Sequence, residues 1–255
     1  MSRPWSGLLQ CFEQASSTMD LARSALPQKP PHGQSFLALQ QSTGRGRHGR
    51  SWFSAPNGAL MLTTILRPPT SPEQASQLSL VVALSVTKTL KQFGLKKAQI
   101  KWPNDILLDD QKLAGILLEM EMESRSNRPI LLVGLGLNIK SSSELSLPND
   151  ITDKYIGLAD LISQPPTILD LAREYLNTFE SDYGTWLTHG IPAFSERWLE
   201  DDALLGRNVR GELGDGVTCG QAQGIASDGA LILKLSGGER VKIKSGEVTK
   251  VRAAE

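Results

Sequence analysis

The sequence predicts an α+β chain that ends in a small β-barrel. Three observations carry that prediction. Two helical stretches with cappable starts, opening after Ser71 and after Thr167, place apolar residues at helical spacing. Between them, four strand-like runs crowd into residues 98–139. After Leu204, helical periodicity gives way to short strand-like segments set apart by glycine turns.

Taken in order, Ser17-Thr18-Met19-Asp20 opens a short helix that ends near Leu26, where Pro27 to Pro31 break it. Phe36 to Gln40 reads as a strand. A glycine- and arginine-rich loop follows, then a second strand from Ala59 to Leu66. Ser71 can cap the next helix, Pro72 suits its first position, and Gln74 completes a capping box. Leu78, Val82, Val86, Leu90 and Phe93 then share a face, and Gly94 closes it. Strands are expected at Ala98 to Trp102, Asp105 to Leu108, Leu113 to Met120 and Ile130 to Ile139, with a hairpin turn at Asp109-Asp110-Gln111. Lys140 to Asp153 is serine-rich and polar and reads as a mobile loop. Thr167 caps a long helix through Leu171, Tyr175 and Phe179 toward Trp186. Near Val209, Val217 to Gln223, Ala230 to Leu235, Arg240 to Ile243 and Val248 to Val251, five short segments complete the barrel.

Composition narrows the chemistry. The 255 residues carry 27 Lys+Arg against 27 Asp+Glu, a formal net charge of +0, which argues against an overall basic DNA-binding footprint. Cys11 and Cys219 are too few for a disulfide framework, and His32, His48 and His189 are too scattered to read as a metal cluster. The N-terminus lacks a long apolar run, and the longest apolar stretches are far too short to span a bilayer. A soluble, cytoplasmic protein without a membrane partner is the expectation.

Four segments could carry a reaction. Gly44-Arg45-Gly46-Arg47-His48-Gly49 satisfies the dinucleotide pattern, but it runs into Ser51-Trp52-Phe53-Ser54-Ala55-Pro56, a poor helix start. It reads either as a solvated surface loop or, favoured by three arginines in six residues, as an anion-cradling loop. Lys101-Trp102-Pro103-Asn104-Asp105 ends a strand. Asn104 and Asp105 could hold a nucleotide-bound Mg²⁺, although Pro-Asn-Asp alone is ordinary turn chemistry. Lys112 precedes Leu113-Ala114-Gly115, where small residues admit a close ligand. By itself it is more often a solvated turn lysine. Gly134-Leu135-Gly136-Leu137-Asn138 puts two glycines in a buried-looking strand, for close packing or for a ligand.

Together and in this order, the four segments resemble biotin protein ligase, and the resemblance runs from Ser17 through the C-terminal barrel. It implies a class II synthetase-like catalytic unit over 1–201, with a mixed, largely antiparallel sheet and helices on one face, and an SH3-like barrel over 202–255. It implies activation of biotin by ATP with Mg²⁺ to biotinyl-5′-AMP, then transfer to one lysine of a biotin carboxyl carrier protein. By the same resemblance Ser17, Thr18 and Gln41 bind biotin, and Gly44, Arg45, Gly46 and Arg47 form the loop that closes over it. Trp52 walls the site, Gly115 leaves room for the bicyclic ring, and Lys112 and Arg47 carry the catalysis. Arg45, Arg47, Asn104, Asp105, Lys112 and Asn138 fall where ATP and its Mg²⁺ belong.

Two departures stand out. Family members often have Asn where this chain has Met19, so any amide contact there is lost. The ligase-like motifs begin by Ser17, so a helix-turn-helix domain is not expected, nor is operator binding. Homodimers occur in the family through sheet edges, and a dimer is possible here. The rival readings are a lipoate–protein ligase-like acyltransferase and a non-catalytic biotin- or nucleotide-binding module. Trp52 with Lys101 to Asp105 favours the biotin branch over the first, and the pairing of Lys112 with Arg47 argues against the second.

Overall fold

The computed structural model describes residues 3–123, 128–145, 149–152, 154–213, 216–244, 246 and 248–250. The first seven strands are β1 (Leu9–Ala15), β2 (Ser35–Gln41), β3 (Ala59–Leu66), β4 (Gln99–Lys101), β5 (Asp105–Leu108), β6 (Gln111–Met122) and β7 (Pro129–Asn138). They form one mixed sheet in the order β1-β2-β3-β7-β6-β5-β4. Only the β1–β2 pairing is parallel. The helices are α1 (Thr18–Ala25), α2 (Pro72–Ala75), α3 (Leu78–Gln92), α4 (Asn149–Thr152), α5 (Ile168–His189) and α6 (Ser195–Asp201).

Alternation along the strands sorts side chains onto two faces. Leu60 and Leu62 of β3 and Val133, Leu135 and Leu137 of β7 point to α3 and α5, where they meet Val82, Val86, Leu171, Tyr175 and Phe179 in the main core. Each such leucine, removed from water, contributes about 1.5–3 kcal/mol. The opposite face carries α1, whose Met19 and Ala22 pack on Phe36, Ile65 and Leu132. The two long helices therefore share one face as expected, and the short α1 covers only part of the other. Beyond α1, the Trp52 side chain packs over part of that second face.

Local chemistry explains where the elements stop. Ser71 Oγ accepts the Gln74 N–H at 3.2 Å, so the cap forms, but the return bond of a capping box does not. The single helix expected from Ser71 is two. Gln77 N–H donates to the Gln74 carbonyl three residues back, a tight turn that ends α2 before α3 begins. Asp109 (φ 49°) and Asp110 (φ 65°) form the two-residue turn between β5 and β6, with the left-handed backbone such hairpins need. In the stretch from Lys140 to Asp153, read from sequence as a loop, Ser142–Glu144 form a 3₁₀ turn and Asn149–Thr152 form α4. Ser141 and Glu144 close a capping box there; residues 146–148 and 153 lie outside the described residues.

The second sheet joins β8 (Asn208–Leu213), β9 (Gly216–Ile225), β10 (Leu231–Lys234), β11 (Arg240–Ile243) and β12 (Thr249–Lys250) in the order β11-β10-β9-β8-β12, every pair antiparallel. Val209, Ala222, Leu231, Leu233 and Ile243 fill it. It is joined to β4. Asp202 bridges Ile100, Ala203 N–H donates to the Ile100 carbonyl at 2.9 Å, and Trp102 Nε1 donates to the Gly229 carbonyl at 3.1 Å. Asp202 is buried, which pushes its carboxyl above the usual range, while bonds from Leu204 N–H and Trp198 Nε1 oppose that shift. Among the described residues, no helix is long and apolar enough to cross a membrane.

Candidate active site

On this second face, the neighbouring strands β6 and β7 bring glycines side by side. Gly136 of β7 lies between Met61 of β3 and Gly115 of β6, and Gly134 lies between Thr63 and Leu117. The patch is bare because it must be. A Cβ on Gly136 would come 2.5 Å from Trp52 Cε2, on Gly115 2.9 Å from Trp52 Cζ3, and on Gly134 3.0 Å from Met19 Sδ. The alternation Gly134-Leu135-Gly136 thus sends leucine into the core and leaves the other face free for a flat ring.

The start of α1 makes one wall. Ser17 caps the helix by accepting the Met19 N–H at 3.3 Å, Thr18 N–H donates to Gln41 Oε1 at 2.6 Å, and Thr63 Oγ1 donates to Thr18 Oγ1 at 2.8 Å. All three sites are buried or half-buried, so each polar group is set by its neighbour. The Met19 thioether lies over Gly134, filling that corner with an apolar group.

The loop from Gly44 to Trp52 makes the lid. It is a small hairpin rather than an open cradle of N–H groups. Arg45 pairs with Ser51, Gly46 N–H donates to the Arg50 carbonyl at 2.7 Å, and Trp52 N–H donates to the Gly44 carbonyl at 2.9 Å. Its tip turns through His48 (φ 55°) and Gly49 (φ 71°). With the Gly46 N–H used inside the hairpin, the cationic lining comes from side chains. Arg45 Nη2 binds Asp20 Oδ1 at 2.5 Å, and Arg47 Nη1 donates to Asn104 Oδ1 at 2.8 Å. Gly44 sits where a Cβ would strike the Trp52 carbonyl oxygen at 2.6 Å. The Trp52 ring closes down on the glycine patch, and its buried Nε1 has no hydrogen-bond acceptor among the described residues.

At the far end stand Lys112 and the turn after β4. Lys112 Nζ is 2.6 Å from Asp105 Oδ1 and 5.7 Å from the Trp52 ring centroid. Asn104 is fixed at both ends of its peptide plane and side chain, its Nδ2 donating to the Ile116 carbonyl and its carbonyl accepting from Ile116 N–H, each at 2.9 Å. The Trp102–Pro103 peptide in this turn is cis.

Two adjoining compartments result. The first, about 480 Å³, has the glycine floor and is lined by Ser17, Thr18, Gln41, Arg45 and Gly115. The second, about 610 Å³, is lined by His48, Arg50, Lys101 and Asp105, with Val248 reaching in from the barrel. Gly46, Arg47, Trp52, Asn104 and Lys112 line both. A larger cleft of about 1040 Å³ between Gln77, Trp102, Asp228 and Lys244 contains none of the sequence-predicted site residues. The first compartment suits an apolar-bodied acid with its carboxylate toward Lys112 and Arg47; the second, rich in cations, suits a polyanion. Asp105 is the one acidic group lining either, among the described residues, and no cluster of three or more metal-binding side chains occurs there. That fits a Mg²⁺ held mainly by substrate phosphates rather than by a protein cage.

Asn138 lies in neither lining. Its Nδ2 donates to the carbonyls of Lys112 at 3.0 Å and Ile156 at 3.1 Å, so the residue expected to meet ATP has its amide donors turned to the main chain. Sequence reasoning also passed over Met61, Leu117, Gly134 and Gly136 as site residues. Gly134 and Gly136, two residues apart on one face, were the available signal.

Comparison with known proteins agrees with this geometry. Residues 11–138 match the biotin/lipoate A/B protein ligase family, and residues 204–251 match the biotin protein ligase C-terminal domain. The chain is 32% identical over 237 residues to the bifunctional ligase/repressor BirA of Bacillus subtilis, covering 91% of this chain and 71% of that one. It is 32% identical over 228 residues to the biotin–[acetyl-CoA-carboxylase] ligase of Paracoccus denitrificans, covering 83% and 88%. The fold superposes on the Aquifex aeolicus biotin protein ligase in complex with biotin and ATP, with TM-score 0.81 and 25% identity over 96% of this chain and 99% of that one. Both family matches and these relatives show that the chain belongs to the biotin/lipoate A/B protein ligase family as a biotin protein ligase.

Proposed function

We propose that this chain joins biotin to ATP and then to a carrier lysine, with biotin on the glycine floor and ATP in the basic compartment. The observation that carries the reading is the placement of Lys112 and Arg47, which line both compartments at their junction. A carboxylate oxygen of biotin attacks the α-phosphorus, the bond from that phosphorus to the bridging oxygen breaks, and pyrophosphate leaves. Lys112 and Arg47 stabilise the charge that gathers on the α-phosphate oxygens in the transition state. The ε-amine of the carrier lysine then attacks the acyl carbon, AMP departs with the former carboxylate oxygen, and the amine loses its proton. Biotin needs this activation because a carboxylate alone has no adequate leaving group.

Ser17, Thr18 and Gln41 supply polar contacts for the ring end of biotin, and Gly115 admits the ring. Arg45, Gly46 and Trp52 cover it. Asn104 and Asp105 face the nucleotide, and Asp105 could contribute one oxygen to the Mg²⁺ that ATP brings. The partner is a biotin carboxyl carrier protein. The catalytic unit spans 1–201 and the barrel 202–255, with the Asp202 bridge as their seam. The formal charge of +0 supports no DNA partner.

Labelled biotin and labelled lipoate, each offered with ATP and a biotin carboxyl carrier domain, test the reading. Label from biotin should appear on one lysine, with pyrophosphate released. Transfer of lipoate in preference to biotin would assign the chain to the other branch of the family. Biotin binding without pyrophosphate would leave only a binding module.

A further inference from the structure

We infer that Asp20 is a positioning residue for the lid, acting through the Arg45 guanidinium. Its part in holding substrate rests on the ligase reading. β1 and β2 run parallel with Ala15 opposite Gln41, and main-chain bonds carry that pairing two residues further. Ser42 N–H donates to the Ala15 carbonyl at 3.1 Å, and Thr43 N–H to the Ser16 carbonyl at 2.9 Å. The Thr43 hydroxyl donates to the same Ser16 carbonyl at 3.1 Å. Gly44 then gives its carbonyl to Trp52 N–H, inside the hairpin. From there the tie to α1 passes from main chain to side chain, with Arg45 Nη2 at 2.5 Å from Asp20 Oδ1.

Asp20 is set up to receive that guanidinium. It lies in the first turn of α1, where the helix dipole favours a carboxylate. Ser16 Oγ donates to its Oδ2 at 3.0 Å, which leaves Oδ1 turned to the lid. Arg23, one turn further on, is 3.8 Å from Oδ1 but has closer partners on β6. It binds Glu119, and its Nε donates to Glu121 Oε1 at 3.2 Å. Those two glutamates hold Arg23 back and leave Asp20 to Arg45. Arg45 also pairs with Ser51 across the hairpin, so fixing Arg45 fixes the base of the lid and Trp52 beside it. The Arg45 and Asp20 side chains are 39% and 37% exposed, so the pair can part into water at small cost. It is a clip that can open. Asp20 lines neither compartment, so it acts on how long the lid stays shut and leaves the charge-stabilising work to Lys112 and Arg47.

A double-mutant cycle tests the clip. Stopped-flow release of added biotinyl-5′-AMP should be about three- to fivefold faster in Asp20→Ala, the worth of one exposed ion pair of good geometry. The kcat for biotin-dependent pyrophosphate release should stay within about twofold, because Lys112 and Arg47 are untouched. In an Arg45→Ala background the same change should add less than about 1.5-fold, since its partner is gone. Equal factors in both backgrounds, or a kcat loss as large as the gain in release, would overturn the inference. If Asp20→Ala does not fold, Asp20→Asn, which keeps the size and drops the charge, enters the same cycle under the same criteria. A second readout needs no ligand. Trypsin should cut after Arg47 or Arg50 faster in Asp20→Ala as the lid opens more often, and an unchanged rate counts against the clip. Wild-type protein that neither binds biotinyl-5′-AMP nor releases pyrophosphate marks failure of the ligase reading instead, and the trypsin rate then decides the clip alone.

Discussion

Arg47 ties the lid to the turn after β4 through the 2.8 Å bond from its Nη1 to Asn104 Oδ1. Removing it should free the hairpin from that anchor while the Arg45–Asp20 pair holds the other side. Arg47→Gly should therefore speed escape of biotinyl-5′-AMP by about tenfold or more, the worth of one charged hydrogen bond. Stopped-flow dissociation of the intermediate measures it, and a wild-type rate would remove the anchoring role. At this scale the sequence was partly legible. Arg45, Arg47, Asn104, Asp105 and Lys112, singled out in the sequence, line the two compartments. The bonds Asn138 makes were not legible, since an amide at the end of a glycine-rich strand looks the same whether it faces a ligand or two carbonyls. Those carbonyls, of Lys112 and Ile156, converge on it only through the bulge at Leu113 and the parallel bridge at Tyr155.

The glycine strand β7 floors the compartment proposed for biotin. Gly136→Ala leaves the strand able to pair but puts a Cβ 2.5 Å from the Trp52 ring, so the ring must leave its seat. Biotin affinity by calorimetry should fall about tenfold, roughly 1.4 kcal/mol. Gly184→Ala, on α5 with open space around its Cβ, should leave affinity unchanged; equal losses in both would point to general destabilisation. Most elements could be read from local chemistry. The Asp109-Asp110 turn, the Thr167 cap of α5 and strands in all five barrel segments form, Val251 of the last lying outside the described residues. The break between α2 and α3 could not, because Ser76 and Gln77 are acceptable helix residues and only a backbone bond three residues back, from Gln77 to Gln74, ends the turn. The reason for the glycine alternation was equally hidden. It lies in Trp52 over Gly136 and Met19 over Gly134, both delivered from distant parts of the chain.

At the scale of the whole molecule, the neutral charge conceals an uneven distribution. Arg50, Lys101 and Lys112 gather with Arg47 around one acid, Asp105, in the compartment proposed for ATP. The barrel contributes Val248 to that wall and is held to β4 through Ile100 and Trp102, so the nucleotide compartment is completed across the seam. The family matches cover both parts, 11–138 and 204–251. Composition argues against an overall basic nucleic-acid footprint but does not show where the cations meet, since Arg47, Lys101 and Lys112 lie far apart in sequence. The most direct test of the central claim is ATP–pyrophosphate exchange with and without biotin, on the wild-type chain and on Lys112→Ala. Exchange should require biotin and should fall by about 10²–10³-fold in Lys112→Ala, as when one group stabilising transition-state charge is removed. Exchange that needs no biotin, or that Lys112→Ala leaves intact, would contradict the account.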